Sequence, residues 1–163
     1  MNLAQKISTP KELFYIPLSE WVQRTIEKMN RSDKKDSDTW DKCWVETYRE
    51  LGGQSEESGS KGCPKHAAFG LWRLGYVIGS NVPYHPRSLT SIKQEYGKNT
   101  AYAAIAVDLL ERGQAASTDE QLWQQVRGIY QQALRDKPAA SNQGAVKVAQ
   151  ILFDEGHLVK SHG

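Results

Sequence analysis

The chain has 163 residues, of which 39% are hydrophobic and 25% charged, with a formal net charge of +2; this is globular composition and excludes a disordered charged tail. A chain of this length suits one domain, 1–163. It buries roughly two thirds of the surface its extended form would expose, so it needs neither a disulfide framework nor a structural metal to fold. The charge divides evenly, with 12 basic and 11 acidic residues over 1–80 and 9 basic and 8 acidic over 81–163, so neither half is a polybasic surface for phosphates.

No stretch reaches the ~18 consecutive apolar residues of a membrane span. The opening MNLAQKISTPKELF brings a charge and a proline too early for a secretory leader. No membrane association is expected, a cytoplasmic location follows, and with it reduced thiols at Cys43 and Cys63.

In STPKELF, Ser8 or Thr9 is placed to cap a first helix with Pro10 in its first turn. The next segment, PLSEWVQRTIEKM, sets Leu18, Val22, Ile26 and Met29 along one helical face. In DTWDKCWVETYREL, the positions Trp40, Cys43, Trp44, Thr47, Tyr48 and Leu51 follow helical spacing, with Asp38 or Thr39 as the cap and Gly52-Gly53 as the stop. The polar, glycine-rich GGQSEESGSKG then reads as a mobile surface loop rather than a linker between domains. Further on, two prolines in SNVPYHPR exclude regular helix and hold His85 in an extended or turned loop. STDEQLWQQVRGIYQQAL opens with a capping-box arrangement of Thr118 and Gln121 and lines up Leu122, Trp123, Val126, Ile129, Tyr130, Ala133 and Leu134, despite the cost of about 1 kcal/mol for Gly128.

Three segments end alike, with alanine seven residues and leucine four residues before a glycine: Ala68, Leu71, Gly75; Ala106, Leu109, Gly113; and Ala149, Leu152, Gly156. Each glycine suits the left-handed residue that ends a helix, and the small alanines suit close helix packing. The spacing resembles that of helical repeats, but a shared way of ending a buried helix explains it more simply. Together these patterns predict an all-α fold, a compact irregular bundle of six to eight helices. Trp40, Trp44, Leu71, Ala106, Leu109, Val126, Tyr130, Ala149 and Leu152 are expected in its core.

CPKHAAFGLWRLGYV resembles a Cys-Pro-basic helix that continues through Phe-Gly-Leu in small uncharacterised bacterial helical proteins. The resemblance covers residues 63–77 and extends over 98–159, leaving 1–50 outside it. It implies a helical fold and carries no activity to any residue here.

Chemistry is scarce. Pro64 fits the first helical turn, which places Cys63 at or beside the N-cap and His66 one turn along, where free amides and an imidazolium favour a thiolate. The competing reading is a cysteine that only caps or packs. Cys43, Cys63, His66 and His85 are legitimate zinc ligands, but their spacing, C-x19-C-x2-H-x18-H, has one short pair where structural sites have two. No metal and no cofactor are expected. Walker, Rossmann, zincin, EF-hand and serine-elbow patterns are absent from the sequence, and Asp154-Glu155, Asp108 and Glu111 read as solvated helix ends rather than as a carboxylate pair for glycoside hydrolysis.

Five tryptophans and seven tyrosines leave enough aromatic surface to line a groove once the core is filled. The leading expectation is a noncatalytic binding or regulatory module for a protein partner. The alternatives are a thiol-dependent enzyme using Cys63 and His66, helped by Tyr84, His85 or Arg87, and a helical nucleic-acid-binding protein. The last would present Asn142, Gln143 and Lys147 at the start of a helix, but Asp154-Glu155 and the lack of basic excess weigh against it. A cleft joining Cys63, His66 and His85 would favour the enzyme; a buried Cys63 with a contiguous exposed aromatic patch would favour binding.

If Cys63 packs rather than reacts, alkylation at neutral pH, read at Cys63 by peptide mass, is slower in folded than in denatured protein. Faster reaction in the folded state would turn the assignment toward the thiol enzyme.

Overall fold

The structure, a computed structural model, describes residues 12–79, 81–140 and 144–159. Contacts group the chain into two units, Met1–Lys61 and Gly62–Gly163. Among the described residues there are seven helices of eight residues or more, one single-turn helix and one two-stranded hairpin, in keeping with the expected all-α class. All nine expected core residues are buried.

In the first unit, strands β1 (Glu12–Leu13) and β2 (Ile16–Pro17) pair antiparallel, Glu12 opposite Pro17 and Leu13 opposite Ile16. The expected cap and first turn at Ser8–Pro10 lie outside the described residues, but the continuation of that helix is corrected: Glu12 and Leu13 are in a hairpin. Its turn residues, Phe14 and Tyr15, both have positive φ, 54° and 68°. Such two-residue turns match strand twist but favour Asn-Gly, so no composition signal announces this one.

Helix α1 (Leu18–Asn30) buries Leu18, Val22, Ile26 and Met29 as the periodicity requires, together with Trp21 and Thr25. Helix α2 (Ser37–Glu50) begins one turn earlier than its aromatic pattern suggests, because the Asp36 carboxylate, and not Asp38 or Thr39, caps it by accepting the Thr39 amide at 2.9 Å. The two helices are joined by aromatic packing. Trp21 stacks on Trp44 with ring centroids 4.2 Å apart, and its indole N–H donates to the Trp44 carbonyl at 2.9 Å. Buried Thr25 and Thr47 satisfy their hydroxyls on carbonyls one turn back, those of Trp21 and Cys43.

The glycine-rich segment that follows is not simply a surface loop. It contains α3 (Glu56–Gly59), capped by Ser55, and it wraps Tyr48, whose hydroxyl accepts the Ser55 amide at 3.0 Å. A Cβ at Gly53 or Gly59 would come within 2.3 or 2.6 Å of the Tyr48 ring. Those glycines make room for an aromatic side chain.

The second unit contains α4 (Gly62–Arg73), α5 (Leu89–Tyr96), α6 (Lys98–Glu111), α7 (Asp119–Leu134) and α8 (Ala145–Asp154). Helix α6 packs against the other four. Its segment Thr100–Val107 is buried on all sides, the pattern of a central helix with no polar face. Its approach to α4 is close: a Cβ at Gly70 would lie 2.1 Å from the Thr100 hydroxyl, which donates to the His66 carbonyl at 3.2 Å. Helix α5 buries only Ile92, so its hydrophobic pattern gives little notice of it. Helix α7 is capped by the Thr118 hydroxyl on the Gln121 amide, as expected, but Ile129 and Ala133 are exposed rather than buried.

The three echoed segments are α4, α6 and α8, and they pack mutually. Gly75, Gly113 and Gly156 have φ of 79°, 69° and 74°. In each case the following amide bonds back to the echoed leucine carbonyl: Tyr76 to Leu71 at 3.0 Å, Gln114 to Leu109 at 2.9 Å, and His157 to Leu152 at 2.9 Å. This six-to-one bond is the Schellman end of a helix, and it explains why leucine and glycine keep their spacing. The chains leaving α4 and α8 then pair, Val77 opposite Leu158, through Ile78 N–H to His157 O and Val159 N–H to Tyr76 O, both 2.8 Å.

The glycines are not equivalent. A Cβ at Gly75 would meet the Pro83 carbonyl oxygen at 2.3 Å, whereas Gly113 has nothing within 4 Å. Gly113→Ala therefore loses about 1 kcal/mol, from the left-handed backbone alone. Gly75→Ala loses about 2–4 kcal/mol, since overpacking is added. Urea unfolding of the two variants measures the difference, and equal losses would contradict the close contact.

Candidate functional site

The polar opening of α4 is where sequence chemistry concentrates. Cys63 is the second residue of the helix rather than its cap, and it is half-buried; His66 is exposed one turn on. His85 is exposed on the extended loop after Asn81. Cys43 lies in α2 of the first unit, half-buried rather than in the buried Trp40/Trp44 face, and burial pushes its thiol pKa up. Both cysteines are thiols. Among the described residues no three His, Cys, Asp or Glu side chains converge as metal ligands would. Asn142 and Gln143 fall outside the described residues, and Lys147 pairs with Asp119 at 3.4 Å.

A groove forms elsewhere in the second unit. It is built from the residues after α4, the proline loop, α5, α6 and α7. Because Gly75 has no side chain, the loop backbone at Pro83 and Tyr84 lies directly on the helix end. That contact sets Tyr84 against Tyr76, ring centroids 5.2 Å apart and 32° from parallel. The pair lines two recesses, a larger one of about 240 Å³ and a smaller one of about 40 Å³, both also lined by Ala104 and Asp108.

The larger recess has an apolar surround of Pro86, Leu89, Ile92, Ile105 and Ile129, with Arg87 at its edge. Ile129 is 37% exposed, which the groove explains. The Arg87 guanidinium bonds to the Ser91 hydroxyl at 2.7 Å, pairs with Glu95, and lies 5.5 Å from the Tyr96 ring centroid. That guanidinium in turn holds the Glu95 carboxyl below its ordinary range. The smaller recess adds Val107, Glu111 and Val159.

Of the residues singled out from the sequence, Tyr84 and Arg87 line this groove, whereas Cys63, His66 and His85 do not. Asp108 and Glu111 read from the sequence as solvated helix ends and Ile129 as part of a buried helical face, and Tyr76 had no motif to mark it. Tyr76 follows a helix-ending glycine, and Ile129 is an apolar residue at the edge of a helical face; only the tertiary arrangement distinguishes them from their neighbours.

Burial, and after it the neighbouring Tyr84, raises the Tyr76 phenol pKa above its ordinary value of 10.0. A raised folded-state value means that Tyr76 contributes stability below the unfolded pKa, and that the contribution is lost as pH rises beyond it. Stability to urea therefore falls above about pH 10, and falls less steeply in Tyr76→Phe. Parallel slopes in the two proteins would contradict the raised pKa.

No helix among the described residues is long and apolar enough to cross a membrane. No curated protein and no solved structure matches the chain. A model of a family of unknown function, DUF6979, matches residues 18–159. The match takes in α1 and α2, which the resemblance seen in the sequence left outside, and runs to the residue that pairs with Tyr76. Covering far more than half of the sequence, it places this chain in the DUF6979 family.

Proposed function

We propose that the chain is a noncatalytic binding module whose Tyr76–Tyr84 groove accepts a segment of a protein partner. The carrying observation is that groove itself: a recess of mixed lining, in which Pro86, Leu89 and Ile129 meet Tyr76, Tyr84, Arg87 and Asp108, formed without Cys63, His66 or His85. Recesses of this make-up anchor side chains, because an apolar group loses its water there while the rim supplies hydrogen bonds. The size supports a peptide anchor. At about 240 Å³ the larger recess is smaller than the roughly 300–1,000 Å³ that encloses a drug-sized ligand, and suits one or two side chains.

The test is selection of binders from a random peptide display library, followed by titration of isotope-labelled full chain with the selected sequences. Amide shifts are expected to concentrate at Tyr76, Tyr84, Ile105 and Ile129. Ile129→Arg, a change at an exposed position, is expected to weaken binding by about tenfold or more. A selection that yields no binder, or binders unaffected by Ile129→Arg, refutes the reading.

A further inference from the structure

A second surface, independent of the groove, is set by charge. Where α7 ends, the chain continues through Arg135, Asp136 and Lys137. The Asp136 carboxylate accepts the Tyr130 hydroxyl and stands 3.3 Å from the Lys93 ammonium of α5 and 3.7 Å from the Lys98 ammonium of α6. Lys98 also donates to the Lys137 carbonyl at 2.9 Å, and the Ala139 amide donates to the Tyr102 hydroxyl at 2.8 Å. These bonds fix the segment on three helices.

One carboxylate thus serves two ammoniums. Arg135 and Lys137, on either side of it, are exposed and form no ion pair among the described residues. Glu95, the acid of α5, is committed to Arg87. The start of α6 adds to the positive field: no side chain caps it, and Lys98 stands where an acid would complement its dipole.

Arg135 is also strained. Its φ of 52° and ψ of 43° are left-handed, a region costly to an L side chain, and α4, α6 and α8 each end on a left-handed glycine. A cation suits the negative end of α7, but a basic residue in the last turn would serve equally without the strain, and that turn holds none. A ligand for the guanidinium explains why arginine occupies this position.

We propose that Arg135, Lys137, Lys93 and Lys98 form a docking surface for an acidic segment of a protein partner, whose carboxylates balance the charge that Asp136 leaves over. A protein segment fits this surface better than nucleic acid. The rings beside the cluster, Tyr102 and Tyr130, are buried and offer no face for base stacking. A compact cluster of cations also matches a few carboxylates rather than a long phosphate backbone.

The experiment measures fluorescence anisotropy with the full chain and labelled synthetic peptides carrying a run of glutamates, glutamines or lysines in a common Gly-Ser background, alongside a labelled DNA duplex. The glutamate peptide is expected to bind about tenfold tighter than the glutamine peptide, and to lose that advantage as salt rises from about 0.05 to about 0.5 M. Arg135→Gly is expected to weaken its binding about fivefold while raising the urea midpoint, because glycine accepts the left-handed backbone freely. Weaker binding with greater stability separates docking from misfolding. Lys137→Gln weakens binding similarly, whereas Lys42→Gln, at an exposed lysine of the first unit, leaves it unchanged. Equal binding of the glutamate and glutamine peptides, unchanged affinity or a lowered midpoint in Arg135→Gly, or an equal loss in Lys42→Gln overturns the proposal. So does tighter binding of the DNA duplex, which assigns the surface to nucleic acid. The groove is tested separately, by Ile129→Arg.

Discussion

The second unit depends on a contact that only glycine permits. At Gly75 the chain must turn left-handed to end α4, and in the same place the Pro83 carbonyl lies where a Cβ would be. The first requirement costs an L side chain about 1–2 kcal/mol; the second is a steric exclusion that no rotamer relieves. Meeting both at one residue lets the proline loop rest on the helix end. Tyr84 then reaches Tyr76, and the pair lines both recesses of the groove.

Around that contact, helix ends do more work than helix faces. The three Schellman ends satisfy carbonyls that would otherwise be left unpaired and aim the departing chain in a defined direction. For α4 and α8 that direction brings Val77 and Leu158 together as a bridge, so two helix ends are tied where the smaller recess opens at Tyr76 and Val159. The central helix supports this by being buried on all sides from Thr100 to Val107, where Ala101, Ala103 and Ala106 allow neighbours to approach closely. The first unit solves its packing by a different route, with stacked tryptophans and a tyrosine enclosed by glycines.

Electrostatics divide the groove from the rest of the surface. Most ion pairs are exposed and contribute little, like Arg24 with Glu20. At the groove Arg87 is committed to Glu95 and aromatic surface, and Asp108 and Glu111 line the smaller recess with Tyr76, whose phenol resists ionisation.

The sequence by itself determined the helical class, the face of α1 and the greater part of those of α2 and α7, the nine buried core positions and the three glycine ends, because these follow from local periodicity and from the φ that each residue tolerates. It did not reveal the Phe14-Tyr15 hairpin, whose turn uses two aromatics where Asn-Gly would be usual, nor α5, which buries one residue. It read Gly53 and Gly59 as flexibility when their reason is the Tyr48 ring. The site was legible only in fragments: Tyr84 and Arg87 drew attention as helpers of Cys63, and they line a groove without it. Joining Tyr76, Tyr84, Asp108 and Ile129 was left to the tertiary structure, because residues from a helix end, a proline loop and two other helices share no spacing in sequence. Their common surface exists only once Gly75 has let the loop down onto the helix.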